Sequence, residues 1–241
     1  MRSIITRLPW AFVLLASGAM AQSYRSDTAF IAAASANAVK HYHEAIKGQS
    51  QLYNGGDYAE YKTLEEEHPY FGSNDWVFGS VHYDGYLYEQ VPLLYDLQTD
   101  QVLTESFSRS STMKLIKERV KYFTIPGHKF VSQPDSSLHH GFYELLYDGR
   151  TKVYARHIKV LQETINQQVI VHDFEEKTRY YIYKDGAYFH VRSKSSIQDV
   201  FADQKRDLNQ LMSKNKIRFR RNREQYIVRM AEFYDRIPTK P

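Results

Sequence analysis

Apolar and polar residues alternate most clearly between positions 76 and 97, WVFGSVHYDGYLYEQVPLLYDL. Asp84 and Gly85 divide this stretch into two halves, and Asp-Gly favours a tight two-residue turn because both positions need positive φ. A period of two is typical of a half-buried strand. In the second half we predict one face made of Leu87, Val91, Leu93, Tyr95 and Leu97, with Glu89 as its exception. The opposite face is predicted to carry Tyr86, Tyr88, Gln90 and Asp96. The pattern therefore predicts a β-hairpin over 76–97.

Pro92 lies inside the second half of this hairpin. Proline has no backbone N–H, so within sheets it is confined to edge strands, strand starts and bulges. The sequence therefore predicts that this strand is an edge strand or is bulged near Val91 and Pro92.

Similar turns recur along the chain. Asp-Gly is found again at Asp148-Gly149 and Asp185-Gly186, and the connections are too short for helical crossovers. We predict a β domain over 63–193 with strands near 76–83, 86–97, 101–107, 119–125, 128–132, 141–147, 151–161, 168–174, 178–184 and 187–193. The predicted fold is α+β, with an antiparallel β-meander of about eight to ten strands in an open, strongly curved sheet or partial barrel.

Helical periodicity flanks the β domain on both sides. Residues 22–62 are predicted to form an N-terminal helix and a turn, with Asp27 as the helix cap and Gly48 at the helix end. Residues 194–241 are predicted to form a C-terminal helix pair that packs on the β domain. Ser195 or Ser196 can cap its first helix, and its second begins at about Asn222.

The first 21 residues have the pattern of a secretory signal peptide. Arg2 and Arg7 precede a mostly apolar stretch, and Ala19-Met20-Ala21 matches an A-x-A cleavage site. We expect a mature chain of residues 22–241 that forms a single globular unit in the periplasm or on the surface of a diderm bacterium. No later run approaches the roughly 20 apolar residues of a membrane span, so no transmembrane segment is predicted after cleavage. The chain has no cysteine, which excludes disulfides and thiolate zinc sites.

Charge is distributed unevenly along the mature chain. Residues 22–110 contain 5 basic and 13 acidic residues, a net charge of −8, whereas residues 111–241 contain 25 and 15, a net charge of +10. Either the two halves interleave and neutralise each other, or the protein has an acidic and a basic surface for partners.

The densest charge lies in one segment near the C-terminus. Six cations occur within ten residues with no acid among them: Lys214, Lys216, Arg218, Arg220, Arg221 and Arg223. If the segment alternates as a strand does, Ile217 and Phe219 anchor it while the cations face outward. Because an exported protein does not normally meet nucleic acid, we predict an anionic lipid, a glycan or an envelope protein as the partner. The alternative is a solvated connector between two helices.

Catalytic and metal motifs are weak in this sequence. Ser111-Thr112-Met113-Lys114 matches S-x-x-K, but the companion motifs of penicillin-recognising enzymes are absent. His41 and His43 point apart on a helix, and His139 and His140 lack a third ligand. Four further histidines on predicted strands could converge: His82, His157, His172 and His190. Carboxylates lie at turns, where backbone geometry explains them: Asp84, Asp96, Asp100, Asp148 and Asp185. We predict no catalytic residue, no metal site and no cofactor.

Several longer segments resemble uncharacterised exported β-rich proteins of Bacteroidota. The similar pieces are LYNGGDY at 52–58, HPYF at 68–71, the hairpin at 76–97, GFYELLYDG at 141–149 and KRDLNQLMSKNKIRFRRNRE at 205–224. The resemblance implies envelope localisation and no established activity. The sequence thus favours a non-enzymatic binding or assembly module. It leaves open a periplasmic carrier of an apolar ligand such as lipid, or a hydrolase whose carboxylates or histidines only the fold brings together. It does not indicate an oligomeric state.

Overall fold

The computed structural model describes residues 30–35, 37–38, 51–59, 68–133, 138–166 and 169–238. The chain divides into two compact units, Met1–Lys47 and Gly48–Pro241. In the first unit, residues 30–35 and 37–38 are helical and exposed, in agreement with the predicted N-terminal helix. The rest of that helix and the predicted signal peptide lie outside the described residues.

The second unit is built on one antiparallel sheet of 11 strands, which is open and has β1 and β11 at its ends. In sheet order the strands are β1-β5-β4-β3-β2-β6-β7-β8-β9-β10-β11. Their bounds are β1 Gly56–Asp57, β2 Val77–Tyr83, β3 Tyr86–Asp96, β4 Gln101–Glu105, β5 Thr112–Lys114, β6 Val120–Ile125, β7 His128–Gln133, β8 Gly141–Asp148, β9 Lys152–Asn166, β10 Val169–Lys184 and β11 Ala187–Val191. The α+β prediction is confirmed. The sequence pattern missed the short strands β1 and β5, and it divided β10 into two.

Helices follow the sheet at its C-terminal end. They are α1 Lys194–Val200, α2 Lys205–Lys214 and α3 Arg223–Arg236, and short 3-10 turns lie at Gln51–Tyr53, Lys117–Arg119 and Ala202–Gln204. Ser193 caps α1 in a capping box with Ser196, so the prediction of Ser195 or Ser196 as the cap was wrong. Asn222 caps α3, and the helix therefore begins where it was predicted to begin. No helix within the described ranges is both long and apolar enough to cross a membrane.

Two of the three Asp-Gly pairs form the predicted tight turns. Asp84 and Gly85 have φ of 51° and 86°, and Asp185 and Gly186 have 52° and 82°. The pair at Asp148-Gly149 differs, because a Cβ on Gly149 would collide with Asp235 of α3. Neither residue of this pair takes the left-handed conformation, and the side chains of Asp235 and Tyr147 lie over Gly149.

Pro92 lies in a bulged strand that has neighbours on both sides. Gly79 pairs with Val91 and Ser80 with Glu89, which leaves Gln90 as the extra residue, at φ 56°. The bulge reverses the side-chain alternation before it. Leu87 is therefore exposed and Tyr88 is buried, so the predicted faces were wrong for these two residues.

The first part of the sheet curls around an aromatic core. Phe123 stacks on Phe130 at 4.9 Å between ring centroids. Tyr95 meets both rings edge-on, and Phe142 meets Phe123 edge-on. All four side chains are buried. The curl brings the β3–β4 turn against β9, where Leu97 O accepts a hydrogen bond from Lys159 N at 3.4 Å.

The second part of the sheet, β8 to β11, carries the helices on the same face as the aromatic core. Strand register places Ala155 and Tyr180 on the face that holds Glu144, and these residues pack under α1, α2 and α3. The core here is formed by Val153, Ala155, Tyr180, Ile182, Val191, Ile197, Phe201, Leu208, Met212, Tyr226, Ile227, Met230, Ala231 and Tyr234. The helices therefore cover the β8–β11 part of the sheet and place the α2–α3 connector beside it.

Candidate functional site

The connector between α2 and α3, residues 215–222, forms a concave basic surface. Its backbone is a series of turns, so the predicted strand-like segment is not a strand. Alternate residues still face inward, because Ile217 and Phe219 are half-buried against the helix core. The exposed side chains before, between and after them line a depression of about 550 Å³. We call this surface the basic cup, and its residues are Lys216, Arg218, Arg220 and Arg221.

The end of α2 fixes the first residue of the cup. Lys216 N donates to Ser213 O and Ile217 N donates to Met212 O, each at 3.0 Å, which is the Schellman arrangement. In this arrangement Lys216 takes the left-handed conformation, with φ 56°, at a position that usually holds glycine. The hydrogen bonds hold the base of the Lys216 side chain in one orientation at the rim of the cup.

The start of α3 fixes the other end. Arg223 donates to Val191 O at 2.8 Å and lies over the Tyr180 ring, with 5.0 Å from the guanidinium carbon to the ring centroid. Phe219 meets Tyr226 edge-on at 5.7 Å. The connector is therefore tied to both the sheet and α3.

The structure separates the six predicted cations into two groups. Lys216, Arg218, Arg220 and Arg221 meet in the basic cup. Lys214 is exposed at the end of α2 and does not line the cup, and Arg223 anchors the connector. Four of the six thus share one surface.

Within the described part of the chain, the cations of the cup are not neutralised by ion pairs with acids. Among the residues that the structure describes, none of its four cations forms an ion pair with a carboxylate. Other cations of the same chain do, such as Lys184 with Asp203 at 3.1 Å and Arg229 with Glu232 at 2.6 Å. The positive charge of the cup is therefore open to a ligand.

A second polar cluster lies between the two cores, where Glu144 of β8 is held by two histidines. His128 Nδ1 lies 2.5 Å from one carboxylate oxygen, and His157 Nε2 lies 2.7 Å from the other. Thr178 Oγ1 is 3.3 Å from His157 Nδ1. The phenyl ring of Phe71 covers both imidazoles edge-on. Because these residues come from β7, β8, β9 and β10, the cluster ties four strands together.

Burial alone would raise the pKa of Glu144. Hydrogen bonds from His157 and His128, together with their charge, outweigh that effect and lower the pKa below its ordinary value. The carboxylate is therefore held ionised in the folded chain.

Sequence reasoning missed this cluster. It named His157 among four histidines that could converge, but His157 meets His128 and Glu144 instead of His82 or His190. The side chain of His172 lies outside the described residues. The cluster could have been predicted only from the register of the strands. Phe130 of β7 pairs with Glu144 of β8, and His128 lies two residues before Phe130, on the same side of β7. Within the described parts of the chain, no group of three His, Asp or Glu side chains is arranged to hold a metal ion.

The S-x-x-K match has no catalytic setting. Its residues lie at a turn and in β5, and Ser111 N donates to Ser106 Oγ at 3.2 Å.

The buried carboxylate at the β3–β4 turn is also bonded within the fold. Asp96 accepts from the backbone of Gln98 at 2.8 Å and from Tyr58 Oη at 2.8 Å. Such bonds fix loops and leave no pair of facing, free carboxylates at this turn.

Comparison with known proteins adds no functional assignment, because no family model, curated protein or solved structure matches this chain. The resemblance to exported Bacteroidota proteins stays a prediction. The geometry of the basic cup is consequently the main guide to function.

Proposed function

We propose that this protein is an exported, non-enzymatic binding module of the cell envelope that holds an anionic partner in the basic cup. The observation that carries the proposal is the convergence of four cations on one depression without a paired carboxylate among the described residues. The leader-like pattern of residues 1–21 supports export. The partner is an anionic lipid, a glycan or an acidic surface of an envelope protein.

The two alternatives left open by the sequence receive less support. An apolar carrier needs space for its ligand, but the curled part of the sheet is filled by Tyr95, Phe123, Phe130 and Phe142. A hydrolase needs groups that face a substrate, whereas Glu144 and its histidines are bonded to one another beneath Phe71.

A charge-reversal variant tests the proposal. Lys216→Glu with Arg220→Glu changes the net charge by −4 and places two acids in the cup, so we expect weaker retention on anionic vesicles or on an envelope partner at low salt. The matched control is Lys121→Glu with Arg206→Glu, which makes the same change in net charge at two exposed sites outside the cup. Equal loss of retention in both variants would show that only net charge matters, and unchanged retention in the cup variant would contradict the proposal.

A further inference from the structure

The geometry points to a ligand with two phosphate groups, such as a pyrophosphate or a bisphosphorylated head group, and we propose this as the ligand class of the basic cup. This inference rests on the proposed function and narrows its anionic partner to one chemistry.

The composition of the cup favours phosphate over a generic anion. Three of its four cations are arginines, Arg218, Arg220 and Arg221. A guanidinium presents donors in a planar fork that matches a phosphate bidentately, whereas an ammonium acts as a point charge. Several forks directed at one depression fit tetrahedral oxyanions better than scattered carboxylates.

The charge of the cup matches two phosphate groups. Its four cations carry four positive charges. A phosphate monoester carries about −1.5 to −2 at pH 7, so two such groups balance the cup and one does not. The depression of about 550 Å³ also falls within the range of small-molecule sites, which is roughly 300–1,000 Å³.

The backbone of the connector is held by hydrogen bonds within the protein. Its first cation is fixed by the Schellman hydrogen bonds at the end of α2, and its far end is fixed by Asn222, which caps α3, and by the bond from Arg223 to Val191 O. Arg221 N donates to Arg218 O at 3.1 Å, which turns the chain back on itself. A preorganised concave site loses less entropy on binding a discrete group. Adsorption to a flat anionic membrane would not require this shape.

Calorimetric titration of the purified protein with pyrophosphate, with orthophosphate and with phosphatidylglycerol vesicles tests the inference. We expect one pyrophosphate per chain, bound about tenfold or more tightly than orthophosphate, because the second phosphate adds charge-assisted hydrogen bonds. Phosphatidylglycerol has one phosphate in its head group, so its vesicles measure attraction to an anionic surface alone. Vesicles of a lipid with two phosphates in the head group, titrated in parallel, distinguish a lipid from a free solute as the source of the two phosphate groups.

A variant that keeps the positive charge but replaces the guanidinium groups separates phosphate recognition from general electrostatic attraction. Arg218→Lys, Arg220→Lys and Arg221→Lys together should lower pyrophosphate affinity about tenfold while vesicle retention is kept. If pyrophosphate and orthophosphate bind equally, or if phosphatidylglycerol vesicles are the one probe that binds in a cup-dependent manner, this inference is wrong and the proposed function stands. If no anion binding depends on the cup residues, both fail.

Discussion

Replacing Lys216 with glycine separates the stability of the chain from its binding. Lys216 holds φ 56° at the end of α2, and the left-handed helical conformation costs an L-residue roughly 1–2 kcal/mol. Glycine relieves that strain but loses more backbone entropy on folding, roughly 0.5–1 kcal/mol relative to alanine. We therefore expect Lys216→Gly to raise the free energy of unfolding by about 0.5–1 kcal/mol.

The same variant should bind its ligand less well, because it lacks the ammonium at the rim of the cup. A hydrogen bond to a charged group contributes roughly 1.5–3 kcal/mol, which corresponds to about a tenfold or greater loss of pyrophosphate affinity.

Urea denaturation and thermal melting measure the first effect, and calorimetric titration measures the second. For a chain of this size, 1 kcal/mol shifts Tm by roughly 2–4 °C, so the expected rise is about 1–4 °C. Lys216→Ala is the matched control, since it removes the same cation and keeps the left-handed strain. It should lose affinity without gaining stability. A glycine variant that is less stable than the parent chain, or that binds as tightly, would refute the reasoning.

Two further predictions concern the fold around the cup. Glu144→Gln should lower the free energy of unfolding by about 1–2 kcal/mol at pH 7, because both histidines lose the carboxylate charge and one of them then faces an amide NH₂ group in place of an acceptor oxygen. The folded pKa of Glu144 lies below its ordinary value of 4.5, so its contribution is present above that pH and is lost as pH falls through the folded pKa. Urea midpoints of the two proteins should thus converge progressively as the pH falls below 4.5, and a difference that stays constant down to pH 2 would contradict this. Gly141→Ala should cost about 1–3 kcal/mol, because its Cβ would collide with Asp100 Oδ2 beside Arg156, and an unchanged Tm would show that the cluster has room.

Local chemistry determined which parts of this fold were predictable from sequence. The turns at Asp84-Gly85 and Asp185-Gly186 followed from backbone preferences that act within two residues, and Pro92 indicated a bulge near its true position. The exposure of Leu87 was not predictable from alternation, because one inserted residue at Gln90 reverses every face before it.

The Glu144 cluster was missed because it depends on how strands distant in the sequence pair with one another. The partners of Glu144 come from strands β7 and β9, so alternation within any single strand could not have brought them together. The connector was predicted to alternate as a strand does, with Ile217 and Phe219 facing inward. Both residues do face inward, but for a different reason. Ile217 and Phe219 face inward because the Schellman turn and the Asn222 cap direct the chain, and no strand is formed.

The charge asymmetry of the sequence bears on the cup as well. Acids of the N-terminal half are paired with bases of the C-terminal half at the middle of the sheet. Asp84 meets Arg119 at 3.6 Å, and Asp100 meets Lys117 at 2.6 Å and Arg156 at 3.8 Å. The two halves therefore interleave there, as one of the two interpretations expected. Among the described residues, the four cations of the cup take no part in these ion pairs. Part of the excess positive charge of the C-terminal half is therefore concentrated in the cup, whose concave shape is set by the end of α2 and by the cap of α3. Since compensation elsewhere weakens a general attraction to anions, local geometry at the connector is the stronger argument for selective binding.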